Sequence, residues 1–270
     1  MIPKIIHYCW FGGNPLSELA IKCIDSWKKY CPDYEIIQWN ETNYDIKNCC
    51  DYVREAYDEK KWAFVSDYAR LEIIYNNGGV YLDTDVELLR PLDTLLNNRC
   101  YFGAETTGYV ATGLGFGAEK NNEIVKRLLD EYDNVHFIIG NKMYDLTPCP
   151  IRNSKPLVNL GYEYSDDKIW LFEDKCVVYP PDYFCPMDYD TGNLAITSNS
   201  FSVHLYNASW LSEDEKRINE KINTIDSNYY PIYSFLKKHI LLYKFEKNKG
   251  TVKNIFDYFQ YKLNKRKNMN

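Results

Sequence analysis

Two neighbouring segments decide the fold: Phe64-Val65-Ser66-Asp67-Tyr68-Ala69-Arg70, and then Asn77-Gly78-Gly79-Val80-Tyr81-Leu82-Asp83-Thr84-Asp85. Around the first, Ala63, Phe64, Tyr68, Leu71, Ile74 and Tyr75 recur at intervals of three and four, which predicts a helix over 61–76. Asn77-Gly78-Gly79 ends it, because glycine readily takes the left-handed conformation needed just past a last turn. Val80-Tyr81-Leu82 then reads as a brief strand that delivers Asp83-Thr84-Asp85. Residues two apart on a strand face one side. Asp83 and Asp85 are therefore expected to converge on one ligand at the strand's carboxyl end, where open α/β sheets bind ligands. Two adjacent carboxylates repel unless a cation lies between them. A divalent ion would also bind the diphosphate of a nucleotide and neutralise charge on a leaving group. Asp67 and Arg70, three apart, share a helical face.

Working outward, Ile2 to Tyr8 reads as a buried strand, followed by a turn over Phe11-Gly12-Gly13-Asn14-Pro15. Leu16, Leu19, Ala20, Cys23, Ile24 and Trp27 mark an amphipathic helix that Cys31-Pro32-Asp33 stops. Tyr34 to Trp39 is a second strand, completing the strand–helix–strand unit of an α/β sheet. Residues 48–61 predict a short helix, 101–117 a strand, loop and strand, and 121–132 a helix. Residues 141–200 carry many Pro, Asp and Tyr and read as loops and short strands. Phe201 to Tyr206 is a last strand. His7 falls within the first strand and reads as a satisfied core histidine.

Composition sets bounds on function. With 45% hydrophobic and 26% charged residues the chain is an ordinary globular one and not disordered. Its aromatic share of 16% suits stacking on bases and sugars as well as a Tyr-rich core. The nine cysteines form no CxxC pair and follow no signal-like segment, so reduced thiols in a cytosol are expected. From Lys237 onward there are ten Lys/Arg against two acids, a net of +8 that leaves −14 on the rest. Such an acidic body is a poor nucleic-acid binder, whereas the basic end could meet an anionic surface. Gly113-x-Gly115-x-Gly117 lacks the spacing and following helix of a dinucleotide fingerprint.

The block over residues 64–85 resembles the "SD-x-x-R … GG-x-Y-x-D-x-D" signature of glycosyltransferase family 32, whose members carry a DXD sugar-binding region. Many bacterial capsule and surface-polysaccharide transferases belong there; the glucosyltransferase domains of large clostridial cytotoxins are more distant. Ile2-Pro3-Lys4-Ile5-Ile6-His7-Tyr8-Cys9-Trp10-Phe11-Gly12-Gly13 and Ser202-Val203-His204-Leu205-Tyr206-Asn207-Ala208-Ser209-Trp210 are similar to the family's opening strand and late "H…SW" motif. The resemblance implies a single α/β domain of the GT-A fold with a Rossmann-like nucleotide-binding sheet. It also implies a retaining transfer that depends on Mn²⁺ or Mg²⁺. Asp85 would bind the metal directly, and Asp83 would hold the ribose and reach the metal partly through water. Asp67 would take the donor's sugar hydroxyls and Arg70 its phosphate end. Tyr81 would lie by the donor, or else serve as a strand core residue. Trp10 would stack on the base, Trp210 would close over the nucleotide, and either His204 or Asn207 would complete the metal shell. Ala111 and Thr112 stand where relatives often carry Asn or Asp near the reacting carbon. That departure argues against a covalent carboxylate nucleophile and for a front-side transfer in which the leaving phosphate takes the acceptor's proton.

The expected organisation is a transferase domain over 1–227 and a basic, aromatic, partly helical extension over 228–270. The extension's Lys residues and rings such as Tyr243, Phe245, Phe256 and Phe259 suit an anionic membrane surface. The expected donor is a nucleotide-sugar of the UDP class, and the acceptor a glycan or lipid-linked sugar of surface-polysaccharide assembly in a bacterium. The expected location is the cytoplasm, peripheral to the membrane. Two other readings compete. A sugar-1-phosphate nucleotidylyltransferase would need a cationic Gly-rich loop where Trp10-Phe11-Gly12-Gly13-Asn14-Pro15 stands. A non-catalytic sugar-binding protein would not need Asp67, Arg70, Asp83 and Asp85 together.

Overall fold

The computed structural model describes residues 1–140, 143–165, 167–172, 176–188 and 192–206. Its centre is a seven-stranded sheet. Strands β1 (Ile5–Cys9), β2 (Glu35–Trp39) and β3 (Gly79–Tyr81) run parallel, with β1 between the other two. Beyond β3 comes β6 (Phe116–Ala118), antiparallel to it and to β5 (Cys100–Gly103). Strand β10 (Cys176–Tyr179) pairs parallel with β5, and β9 (Trp170–Phe172) pairs antiparallel at the edge. A small second sheet joins β4 (Val86–Leu88) to β11 (Ser202–His204), and β7 (Ile138–Gly140) and β8 (Met143–Tyr144) make a separate hairpin. The expected α/β class, a central sheet flanked by helices, is what the chain forms.

Helix α1 (Glu18–Tyr30) begins where Ser17 accepts a hydrogen bond from the Ala20 amide at 3.1 Å, and buries Ala20, Cys23, Ile24 and Trp27 against one face of the sheet. The other face is covered by α2 (Asp51–Asp58), α3 (Trp62–Asn77), α4 (Glu123–Asp130) and α5 (Cys149–Asn159). Strand side chains alternate between the two cores: Val80 and Leu82 join the α1 side, and Tyr81 joins the α3 side. A fully buried Leu or Val in such a core contributes roughly 1.5–3 kcal/mol, so these contacts hold β3 and the residues just after it in place.

Gly78 ends α3 with φ +70° while its amide bonds the Ile74 carbonyl, as the sequence predicts. A Cβ at Gly79 would come within 2.8 Å of the Ile5 carbonyl oxygen. The glycine pair therefore lets β3 lie against β1 directly out of the helix. His7 is fully buried and neutral: Nδ1 accepts from Trp39 Nε1 at 3.0 Å, and Nε2 donates to the Gly78 carbonyl at 3.0 Å. Burial pushes its pKa down to about 4.

Two expectations need correction. The strand ends at Tyr81, and Asp83 to Val86 form a turn closed by a 3.0 Å bond from the Val86 amide to the Asp83 carbonyl. The acidic pair thus converges through a turn and not through strand alternation. Residues 141–200 are also more regular than their Pro content suggests, since they include the 11-residue α5. Pro150 stands in its first turn, where a missing N–H costs nothing. Pro156 is tolerated within it. The boundary expected at 227/228 and the whole extension lie outside the described residues. Among the described residues, no helix is long and apolar enough to cross a membrane.

Candidate metal and donor site

The chain reverses direction of winding at β1, with β2 added on one side and β3 on the other. The carboxyl ends of β1 and β3 therefore flank a topological switch point, the crevice where such sheets take ligands. Trp10 follows β1 there, half-buried, with Nε1 donating to the Asn14 carbonyl at 2.7 Å. Asp83 and Asp85 follow β3. The pairing of β11 with β4 sets His204 opposite Val86, and the Leu205 amide bonds the Asp85 carbonyl at 2.9 Å. That ladder brings His204 Nε2 to 3.2 Å from Asp85 Oδ1. Ligand atoms of Asp83, Asp85 and His204 all lie within 4.8 Å of one another.

A second layer supports this cluster. Arg70 Nη2 lies 3.1 Å from Asp67 Oδ1 and 3.2 Å from Asp83 Oδ1, so the one guanidinium joins both acids. Tyr81 is 1% exposed and donates its hydroxyl to Asp83 Oδ1 at 3.0 Å, while its ring packs 5.0 Å beneath the guanidinium. Tyr81 is thus both a core residue and a support for Asp83. Arg70 Nε bonds the Ser66 carbonyl at 3.1 Å. A charge buried this deeply is tolerated only when paired, and Arg70 has two carboxylates.

The electrostatics are those of an acidic pocket. Burial pushes Asp67 up to about 6 despite Arg70, and raises Asp83 against the same opposing charge. Burial alone would depress His204, but Asp85, Asp83 and Glu105 together hold its pKa above the usual value. The residues fit a divalent cation. Two carboxylates and an imidazole are ordinary donors for Mn²⁺ or Mg²⁺. Their spread is close to twice a metal–oxygen bond of about 2.1–2.2 Å. Among the described residues the buried His204 Nδ1 also has no hydrogen-bond partner, so none of them locks the ring into a structural role through both nitrogens. The described residues thus bring together Asp67, Arg70, Tyr81, Asp83, Asp85 and His204, with Trp10 at the carboxyl end of the neighbouring strand β1. The other expected site residues, the metal-ligand candidate Asn207 and the nucleotide-closing Trp210, lie outside the described residues.

The loop after β5 supplies what sequence reasoning missed. A Cβ at Gly113 would sit 2.4 Å from Asp83 Oδ2 and 3.1 Å from Arg70 Nη1. Only a glycine lets the 112–114 turn close on the acidic cluster. Gly113 belongs to the Gly-x-Gly-x-Gly run, but its meaning depended on Asp83, 30 residues away in the chain. Cys149 and Asn153 also reach this region.

With this geometry in view, residues 17–102 match the model of the glycosyltransferase sugar-binding region containing the DXD motif. The chain carries the sugar-binding region of the DXD glycosyltransferases. The family resemblance drawn from the 64–85 block is borne out. The chain is similar to inositol phosphoceramide mannosyltransferases 3 and 1 of Schizosaccharomyces pombe. It is 29% identical to the first over 154 residues, covering 54% of this chain and 43% of that protein. To the second it is 28% identical over 228 residues, covering 80% of this chain and 64% of that protein. Both relatives are thus spanned over less than two thirds of their length. A solved structure titled PaToxG glycosyltransferase aligns at TM-score 0.41 and 22% identity, over 49% of this chain and 61% of its own. A glycosyltransferase involved in glycosylating the major capsid of PBCV-1 aligns at 0.42 and 14%, over 77% and 95%.

Proposed function

We propose that this chain is a divalent-metal-dependent glycosyltransferase that moves a hexose from a nucleotide-sugar to a glycan or lipid-linked acceptor with retention of configuration. The observation that carries the reading is the convergence of Asp83, Asp85 and His204 at the switch point of the sheet, with Arg70 tied to Asp83 behind them. A metal held by this cluster would neutralise the diphosphate of the donor. The residues of the chain would do the rest. Trp10, just after the carboxyl end of β1, offers a ring for the base. Arg70 places a permanent positive charge next to the acids, where negative charge builds as the phosphate leaves. Asp67, buried and shared with Arg70, offers a carboxylate oxygen to sugar hydroxyls. Thr112 in place of a carboxylate favours a transfer without a covalent intermediate.

A UDP-sugar is the first donor to test; the names of the yeast relatives make a GDP-linked mannose the second. Those names also favour a lipid-borne acceptor, in keeping with a cytoplasmic enzyme peripheral to the membrane and, in a bacterium, with surface-polysaccharide assembly. The test is hydrolysis of a panel of UDP- and GDP-hexoses by the full chain with Mn²⁺, with Mg²⁺ and with EDTA. One donor should be cleaved, with turnover restored by metal after chelation. Equal cleavage in EDTA, or none of any donor with a stable protein, would count against the reading.

A further inference from the structure

We propose that Cys149 and Asn153 on α5, together with Thr112, form the wall of the donor subsite that reads the hydroxyl groups of the transferred sugar. This rests on the reading of the chain as a donor-sugar transferase. Cys149 and Asn153 are four apart on one helical face and meet the acidic site at Arg70 and Thr112. Cys149 Sγ lies 3.7 Å from Arg70 Nη1 and 3.3 Å from Thr112 Oγ1. Asn153 Nδ2 donates to Thr112 Oγ1 at 2.9 Å and to Cys149 Sγ at 2.9 Å. The helix and the loop are fastened together, since the Val110 amide donates to Ser154 Oγ at 2.8 Å.

Two features mark it as more than packing. Asn153 is 1% exposed, yet its carboxamide oxygen has no hydrogen-bond partner among the described residues. A buried acceptor without a donor is a standing cost that most folds avoid, and a sugar hydroxyl would remove it. Cys149 is half-buried next to the Arg70–Asp67 pair. Burial pushes its thiol up to about 12, so it stays protonated and acts as a weak donor and soft contact, not as a nucleophile. Sites that hydrogen-bond a substrate hydroxyl reject analogues lacking it by large factors, whereas plain apolar walls discriminate weakly. Asn153 and Cys149 give this wall one carbonyl and one thiol, and Thr112, fully buried, holds both through its hydroxyl.

The test labels the wild-type chain with methylmercury chloride and follows Cys149 by peptide mass mapping. Binding is checked in parallel by thermal shift. The nucleoside diphosphate with Mn²⁺ should leave the labelling rate within twofold, because it does not fill the sugar subsite. The whole nucleotide-sugar with Mn²⁺ should slow labelling at least tenfold. A nucleotide-sugar that binds but leaves Cys149 labelling unchanged overturns the proposal while sparing the donor reading. If neither nucleotide binds, the donor reading fails and this one falls with it. As a second readout, Asn153→Ala and Cys149→Ser should each shift the KM ratio between two hexose epimers at least tenfold, while the affinity for the nucleoside diphosphate stays within twofold. An unchanged ratio in both folded variants likewise overturns it.

Discussion

Gly113→Ala places one methyl group where the structure leaves no room. The added Cβ would lie 2.4 Å from Asp83 Oδ2, so the carboxylate must give way by about 0.6 Å merely to reach 3.0 Å, the lower limit of real contacts. Asp83 cannot retreat without cost. Its Oδ1 holds Arg70 Nη2 at 3.2 Å and accepts from Tyr81 at 3.0 Å, and both partners are buried. Retreat breaks or stretches one of these bonds, and a hydrogen bond to a charged group is worth roughly 1.5–3 kcal/mol. At about 1.4 kcal/mol per factor of ten, affinity for Mn²⁺ with nucleotide should fall by roughly 10- to 150-fold. The fold itself should survive, because Gly113 is not among the glycines in the left-handed region. Calorimetric titration of nucleoside diphosphate in saturating Mn²⁺, alongside a thermal melt, measures both. Binding within twofold of wild type in a variant that melts normally would refute the claim that the 112–114 turn closes on Asp83.

Two further outcomes test the scaffold. His7 has a folded-state pKa near 4 and an ordinary unfolded value of 6.5, so the unfolded chain binds the proton first. Its contribution to stability is present in full above pH 6.5 and is lost as pH falls toward 4, by up to roughly 3 kcal/mol. Proton NMR of the ring should give a midpoint near 4, and a midpoint near 6.5 would contradict the buried Trp39–His7–Gly78 chain. Asn122 caps α4 by accepting from the amides of Ile124 at 3.0 Å and Val125 at 3.3 Å. Asn122→Ala should cost about 1 kcal/mol in urea denaturation, and no loss would mean that the cap is idle.

The sequence could show the α3–β3 unit because its signals are local: a helical period, a glycine stop, a short apolar run and the acids beyond it. His204 was legible as a candidate through its motif, but its distance to Asp85 follows from a ladder between β4 and β11, more than 100 residues apart in the chain. The turn at Asp83–Val86 was not legible, because a single 3.0 Å backbone bond decides between strand and turn. α5 was hidden by two prolines that usually punctuate, one of which stands where a helix tolerates it. Cys149 and Asn153 carry no period and no motif, and the Gly-x-Gly-x-Gly run around Gly113 does not say what it closes on. They meet Asp83, Arg70 and Thr112 only because the sheet places the loop after β5 beside α3, which is a property of strand order.

Asp83, Asp85 and His204 would together hold one cation. The most direct test is Mn²⁺ titration followed by loss of the free-ion EPR signal, with nucleoside diphosphate present, on the wild type and on Asp85→Ala. Saturable one-to-one binding is expected in the wild type. In the variant, affinity should fall by about 100-fold or more, since even outer partners of metal ligands cost 10–100-fold, while circular dichroism stays unchanged. Equal Mn²⁺ affinity in the two proteins would contradict the account.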